Sequence, residues 1–132
     1  MSAANALLQA VHAALSGDAA LTGLIGANAI HDRQLTGRAR PYLVIGEMVS
    51  RDNSTSTEAG EVHLMAIEAW SDAPGRREVD AIAGAVLGVL HDAALTLTGA
   101  TLVSLLHQST RVKREAKGRS FKAEIVFRAV TE

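Results

Sequence analysis

The spacing of apolar side chains along the chain predicts two helical segments. Near the N-terminus, leucine, valine and alanine recur at intervals of three and four residues, as on one buried helix face. This helix is expected to end at Ser16-Gly17, and Asp18 is expected to cap a short second turn over residues 19–24. A second helical pattern covers residues 76–92 and follows turn residues at 72–75.

Alternating and continuous apolar residues predict the strands. Residues 61–70 carry apolar side chains on both faces, which favours a central position in a sheet. Pro41 suits the start of a strand, where no backbone donor is needed. The full set of expected extended segments is 29–31, 42–48, 61–70, 95–97, 102–114 and 120–130, with a hairpin tip at Lys117-Gly118 and a loop at 37–40.

The order of these elements predicts an α+β fold. The chain is expected to form a single domain over residues 1–132. Its sheet should be mainly antiparallel, with four to five strands and two helices packed on it, because helices and strands do not alternate regularly.

Composition excludes several classes of function. The 132 residues include no cysteine, which rules out a disulfide scaffold, a thiolate metal site and a cysteine nucleophile. Only 3% are aromatic, which argues against a surface that stacks nucleic-acid bases. Apolar runs are shorter than a membrane span and no signal-peptide order precedes them, so we expect a soluble protein without membrane contact.

The net charge of -1 results from a cancellation. Residues 1–110 carry 6 basic and 11 acidic side chains, whereas residues 111–132 carry 7 basic and 3 acidic ones. A net charge this close to zero argues against nucleic-acid binding driven by overall charge. The uneven distribution predicts surfaces of opposite sign that meet neighbouring molecules.

The candidates for catalysis or metal binding are weak. His91-Asp92 fits either a base with its orienting carboxylate or, more simply, a helix C-terminus. His63 with Glu61 offers two metal ligands, too few for a closed site, and otherwise reads as a structural histidine. Three carboxylates either gather across strands or lie exposed: Glu47, Glu61 and Glu68. We therefore expect no enzyme, no cofactor and no metal.

The polar segment at residues 50–60 is a candidate interface loop. It has no large apolar residue and is longer than an ordinary hairpin requires. It is either a mobile solvated loop or a segment that orders on meeting a partner. Its candidate contact residues are Arg51, Asp52, Asn53 and Glu58.

A basic hairpin near the C-terminus is the second candidate surface. On a strand, Arg111, Lys113 and Glu115 share one face and form a charged stripe. The stripe either discourages strand-to-strand aggregation, or binds an acidic partner, or lines a pore that passes DNA. The hairpin residues are Arg111, Lys113, Arg114, Lys117, Arg119 and Lys122.

Several short segments occur in a characteristic order along the chain: an N-terminal helix, the extended piece around Ile30, and residues 41–44, 61–71, 75–92, 95–97, 102–103 and 118–132. In this order they resemble the tail-completion or tail-terminator proteins of long-tailed phages and gene transfer agents. The resemblance covers nearly the whole chain, although residues 72–74 depart from it where related sequences often carry arginine after Trp-Ser.

The resemblance implies an assembly protein without catalytic residues. Members of this family form a ring, commonly of six subunits, on the head-proximal end of the tail tube. The implied partners are further copies of the chain, the tail tube protein and the head connector or stopper protein, with DNA passing at most transiently through the lumen. The implied location is a phage or gene-transfer-agent particle assembled in the bacterial cytoplasm.

Two other functions remain open on the sequence. A head-side connector, such as a stopper or an adaptor, would bind the portal complex in place of the tail tube. A small ligand-binding or enzymatic α+β domain would use His63, His91 or the glutamates.

Overall fold

A computed structural model describes residues 2–32, 41–115 and 120–132, which form three helices and five strands. The expected loop at 37–40 and the hairpin tip at Lys117-Gly118 lie outside the described residues. In chain order the elements are α1 Ala3–Ser16, α2 Ala19–Ile25, β1 Ile30–His31, β2 Tyr42–Asp52, β3 Glu61–Ser71, α3 Arg77–Leu90, β4 Leu102–Arg114 and β5 Phe121–Thr131.

The five strands form one sheet in the order β1-β2-β3-β5-β4. Only β1 and β2 pair in parallel among the described strands, and the remaining neighbours are antiparallel. Helix α3 connects β3 to β4 across β5, which lies between them. The predicted α+β fold with a mainly antiparallel sheet is confirmed, and β3 is a central strand as expected.

The sheet has two unlike faces. On β3 and β5, odd-numbered residues such as Met65 and Phe127 are buried, and helix α3 packs on these strands with α1 and α2 against it. We call this side the helix face. Even-numbered residues of β3 and β5, together with the residues opposite them on β2 and β4, form the open face, where most side chains are partly exposed.

The helices begin and end at residues that satisfy their free backbone groups. The Ser2 hydroxyl accepts a hydrogen bond from the Asn5 amide at 3.2 Å, and the Asp18 carboxylate accepts one from the Leu21 amide at 2.9 Å. The short turn expected after Asp18 is a seven-residue helix, α2, so the structure has three helices where two were expected. Helix α3 is shorter at both ends than the expected 76–92.

Strand β2 is longer than its sequence predicted. It continues from the expected end at residue 48 to Asp52, so Ser50, Arg51 and Asp52 are strand residues and not loop residues. They pair with His63, Val62 and Glu61. Their polar side chains give no strand pattern in the sequence. They are in a strand because they pair with β3, and this pairing does not require apolar residues.

The strand expected at residues 95–97 is wrong. This segment has no regular secondary structure. The segment carries leucines because Leu97 is buried and Leu95 packs against the core. Burial outside a sheet produces the same local pattern as a short strand.

Candidate functional surfaces

The two predicted surfaces lie at opposite ends of the sheet. Asp52 is level with Glu61 and Thr131 at one end, whereas Lys113 is level with Lys122 at the other. Strand β3 has 11 residues between these ends, which corresponds to roughly 35 Å at about 3.3 Å per residue. The polar segment and the basic hairpin therefore cannot form one site within a single chain.

The polar segment forms a hydrogen-bonded turn over residues 53–60. The Asn53 amide donates to the Gly60 carbonyl at 2.8 Å, and the Thr55 amide donates to the Glu58 carbonyl at 2.8 Å. A Cβ at Gly60 would lie 3.3 Å from the carbonyl oxygens of Asn53 and Thr131, so glycine permits this close approach. The expected mobile loop is thus shorter and better held than its composition suggested.

All four predicted contact residues of this segment are exposed, and one of them, Asp52, also shapes the turn. The Asp52 carboxylate accepts hydrogen bonds from the Ser54 hydroxyl at 2.6 Å and the Ser54 amide at 3.1 Å. These bonds from Ser54 hold the pKa of Asp52 below its usual value. Asp52 therefore shapes the turn, while Arg51, Asn53 and Glu58 are exposed and available for a partner.

The structure places Arg111 and Lys113, two residues of the predicted basic stripe, on one face of β4. Arg111 lies opposite Glu124, and Lys113 lies opposite Lys122, which places both on the open face. Both are exposed. Lys117 and Arg119 lie outside the described residues.

Two of the predicted basic residues are engaged within the chain. The Lys122 ammonium lies 3.9 Å from the Glu68 carboxylate and 5.3 Å from the centre of the Trp70 ring. The Arg114 guanidinium lies 5.6 Å from the centre of the Phe121 ring. Among the described hairpin residues, Arg111 and Lys113 are therefore the ones best placed to contact another molecule.

The open face has an apolar half, a surface that the local sequence pattern does not distinguish from buried core. One row across the sheet reads Val49, Leu64, Arg128 and Leu106, and Val49 and Leu106 are 37% and 41% exposed. The alternation of Val62 and Leu64 signalled this face, but nothing local showed that no helix covers it. The apolar half lies toward the turn, and the charged half lies toward the hairpin.

His63 is a structural residue. It is fully buried, and its ring nitrogens lie 2.7 Å from the Ser50 hydroxyl on β2 and 3.0 Å from the Thr131 hydroxyl on β5. Both ring nitrogens therefore join β3 to its neighbours β2 and β5, which argues against His63 as a metal ligand. Burial lowers the pKa of His63 below 6.5, and the nearby charge of Glu61 opposes this shift only in part.

We expect the free energy of unfolding to fall as the pH drops below the ordinary histidine pKa of 6.5. The unfolded chain then binds a proton at His63 that the folded chain resists, so the contribution is complete above this pH and lost below it. For one such residue the slope reaches at most about 1.4 kcal/mol per pH unit. Urea unfolding of the wild type and of His63→Gln, between about pH 8 and about pH 5, measures the difference. Equal slopes for the two proteins would contradict this role of His63.

The other chemical candidates do not form a catalytic site. The His91 Nδ1 accepts a hydrogen bond from the His107 amide at 3.1 Å, so this ring anchors the end of α3 to β4. Glu61 and Glu68 lie on opposite faces of β3, seven positions apart. Residues 2–32, 41–115 and 120–132 hold no group of three or more histidines and carboxylates arranged to bind a metal. In the same ranges, no helix has the length and apolar character needed to cross a membrane.

Comparison with solved structures defines the class of protein. A structure described as "Virion of native gene transfer agent (GTA) particle" contains a chain 35% identical to this one, with a TM-score of 0.92. The match covers 99% of this chain and 98% of that chain. The fold is therefore that of a structural subunit of a phage-like particle.

The family follows from the sequence. The family model described as "Tail completion protein gp17" matches residues 9–132, so the chain belongs to the tail completion protein family. No curated protein matches the chain. The family confirms the resemblance described above, and it gives the chain a structural role in the tail of a phage-like particle.

Proposed function

We propose that copies of this chain form a ring of six subunits on the head-proximal end of a tail tube. The ring ends polymerisation of the tube and joins the tail to the head connector. The observation that supports this proposal most strongly is the match over residues 9–132 to a family of tail completion proteins. The similarity to a chain of a gene transfer agent virion supports the same kind of particle.

The two unlike ends of the sheet suit a protein that lies between two different partners. The turn end presents Arg51, Asn53 and Glu58, and the hairpin end presents Arg111 and Lys113. A ring whose copies all point the same way would show one end of each sheet on each side. In our proposal the turn end contacts the tail tube protein and the hairpin end faces the head connector or stopper.

The chemistry of the described residues supports a role based on surfaces. The rings of His63 and His91 hold neighbouring elements together, and the described ranges contain no group of three or more histidines and carboxylates arranged to bind a metal. DNA would pass through the ring without sequence-specific contacts, since readout of bases requires a set of base-edge donors and stacking rings. The exposed cation Arg128 on the open face offers a contact that depends on charge alone.

The proposed tube contact is tested by changing the exposed turn. In the Glu58→Lys variant the charge of one exposed side chain is reversed, while the bond from the Thr55 amide uses the Glu58 backbone carbonyl and is kept. We expect binding to purified tail tubes to fall by about tenfold or more, because like charges opposed at an interface cost several kcal/mol.

Electron microscopy of tubes mixed with tagged protein provides the measurement. The wild type is expected to decorate one end of each tube. The control Asp80→Lys reverses an exposed charge on α3, which begins soon after the hairpin end of β3, and it is expected to bind as the wild type does. Unchanged end-binding by Glu58→Lys and by deletion of residues 54–57 would contradict the turn assignment. Decoration along the whole tube would contradict the cap itself.

A further inference from the structure

The sheet has an open stretch on its β2 edge. Strand β1 pairs only with Leu43 and Val44. In the described part of the chain, no strand lies beside residues 47–52 on that side. Six residues of backbone near the turn end are thus available for strand pairing.

The opposite edge, β4, is open only in its second half. The Leu105 carbonyl accepts a hydrogen bond from the Asp92 amide at 2.7 Å, and the His107 amide donates to the His91 ring at 3.1 Å. The segment after α3 therefore covers the first half of β4. Within the described ranges, no backbone bond of this kind covers residues 109–114, which lie near the hairpin end.

These two stretches are complementary in direction. Strands β2 and β5 run the same way, and β4 runs against them. When two copies lie side by side in the same orientation, β4 of one is therefore antiparallel to β2 of the next. Because the two stretches are different patches of one chain, the contact is head-to-tail and repeats around a ring.

They are also complementary in side chains. The pairing of β2 with β3 shifts register between Ile45 and Met48. Beyond this shift Val49 lies on the open face, and alternation back from it places Glu47 on the same face, where Arg111 and Lys113 also lie on β4. Pairing Glu47 with Lys113 joins opposite charges. The same register sets the half-buried Met48 opposite the half-buried Val112 on the helix face.

The stagger of this pairing agrees with ring closure. Within one copy, Lys113 lies in the same row across the sheet as Tyr42. If Lys113 pairs with Glu47 of the next copy, that copy is displaced along the strand direction by the distance from Tyr42 to Glu47. The shift is about four to five residues, or roughly 15 Å, over four strands that span roughly 19 Å. The resulting strand tilt is about 40°, within the range of about 35–45° found in closed barrels.

We infer that residues 109–113 of each copy pair with residues 47–51 of the next, with Lys113 opposite Glu47, and that this strand pairing forms the ring. The inference rests on the proposed function, because it names the contact by which that ring closes. It assigns the basic stripe to a second copy of this chain. The turn is left free for an axial partner.

Cysteine cross-linking tests the pairing directly, because the chain has no cysteine of its own. Particles are made with the double variant Glu47→Cys/Lys113→Cys and oxidised, and their proteins are separated without reductant. We expect a ladder in steps of the 13.8 kDa chain mass, because directly opposed cross-strand residues come close enough for a disulfide. Each single variant should remain monomeric, and so should the control Leu24→Cys/Lys113→Cys, in which Leu24 is an exposed residue of α2.

Charge exchange gives a second readout that requires no disulfide. Incorporation of Glu47→Lys or of Lys113→Glu into particles should fall by about tenfold or more, since each opposes like charges. The exchanged double variant Glu47→Lys/Lys113→Glu should restore incorporation.

The outcomes separate this inference from the proposed function. Monomers only, in particles that contain the double cysteine variant and have tails of normal length, would overturn the strand pairing and leave the cap intact. Cross-linked dimers from one single variant alone would also overturn it, since they require a symmetric contact. Normal incorporation of both single charge variants would do the same, and so would failure of the exchanged variant to restore the incorporation that they lose.

Discussion

Replacing Phe127 by alanine is expected to destabilise the chain by about 3–5 kcal/mol. Phe127 is fully buried on β5, pairs with Met65 on β3, and has its ring centre 5.8 Å from that of His107 on β4. Its removal leaves a cavity where three strands meet under α3. Domains of this kind have a total stability of about 5–15 kcal/mol, so the variant loses a large share of it.

Urea unfolding of the purified wild type and Phe127→Ala measures this loss. The matched control is Val103→Ala, which removes an apolar side chain that is 52% exposed on β4. We expect the control to change stability by less than about 0.5 kcal/mol. A loss below about 1 kcal/mol for Phe127→Ala would contradict the core described here.

The sequence predicted most of the elements because their patterns are local. The alternation that ends at Phe127 and Ala129 identified β5, and the helical spacing of Val79, Ile82 and Val86 identified α3. Arg111 and Lys113 were correctly placed on one face, since strand alternation alone decides this.

The position of the candidate surfaces could not be predicted in the same way. The turn and the hairpin lie at opposite ends because β3 pairs with β5 and β5 pairs with β4, which is a matter of tertiary register. The engagement of Lys122 by Glu68 and Trp70 depends on the same register. The apolar open face required knowledge of where three helices pack, since Val62 and Leu64 look like core residues in the sequence.

The apolar pattern of the sequence also could not predict which strand edges are covered and which are open. Leu105 and His107 are ordinary residues of β4, yet the end of α3 occupies their outward backbone groups. Strand β2 continues through Ser50 to Asp52 because His63 and Glu61 pair with them, although their side chains are polar. Both features depend on neighbours that lie distant in the chain, and both determine where another copy can pair.

Loss of this chain is expected to abolish control of tail length. If the ring ends tube polymerisation, removing it leaves the growing end open, and tube protein continues to add until it is exhausted. A head-side connector would have a different effect, because its loss would leave tails of normal length that are not joined to heads. The two functions thus differ in one measurable quantity, the distribution of tail lengths.

The gene for this chain is therefore deleted in the producing cell, and the tails are measured by negative-stain electron microscopy. A plasmid copy of the wild type or of Val103→Ala should restore a narrow length distribution. The account predicts long tails of widely varying length in the deletion. Normal-length tails detached from their heads would contradict it and favour the head-side connector.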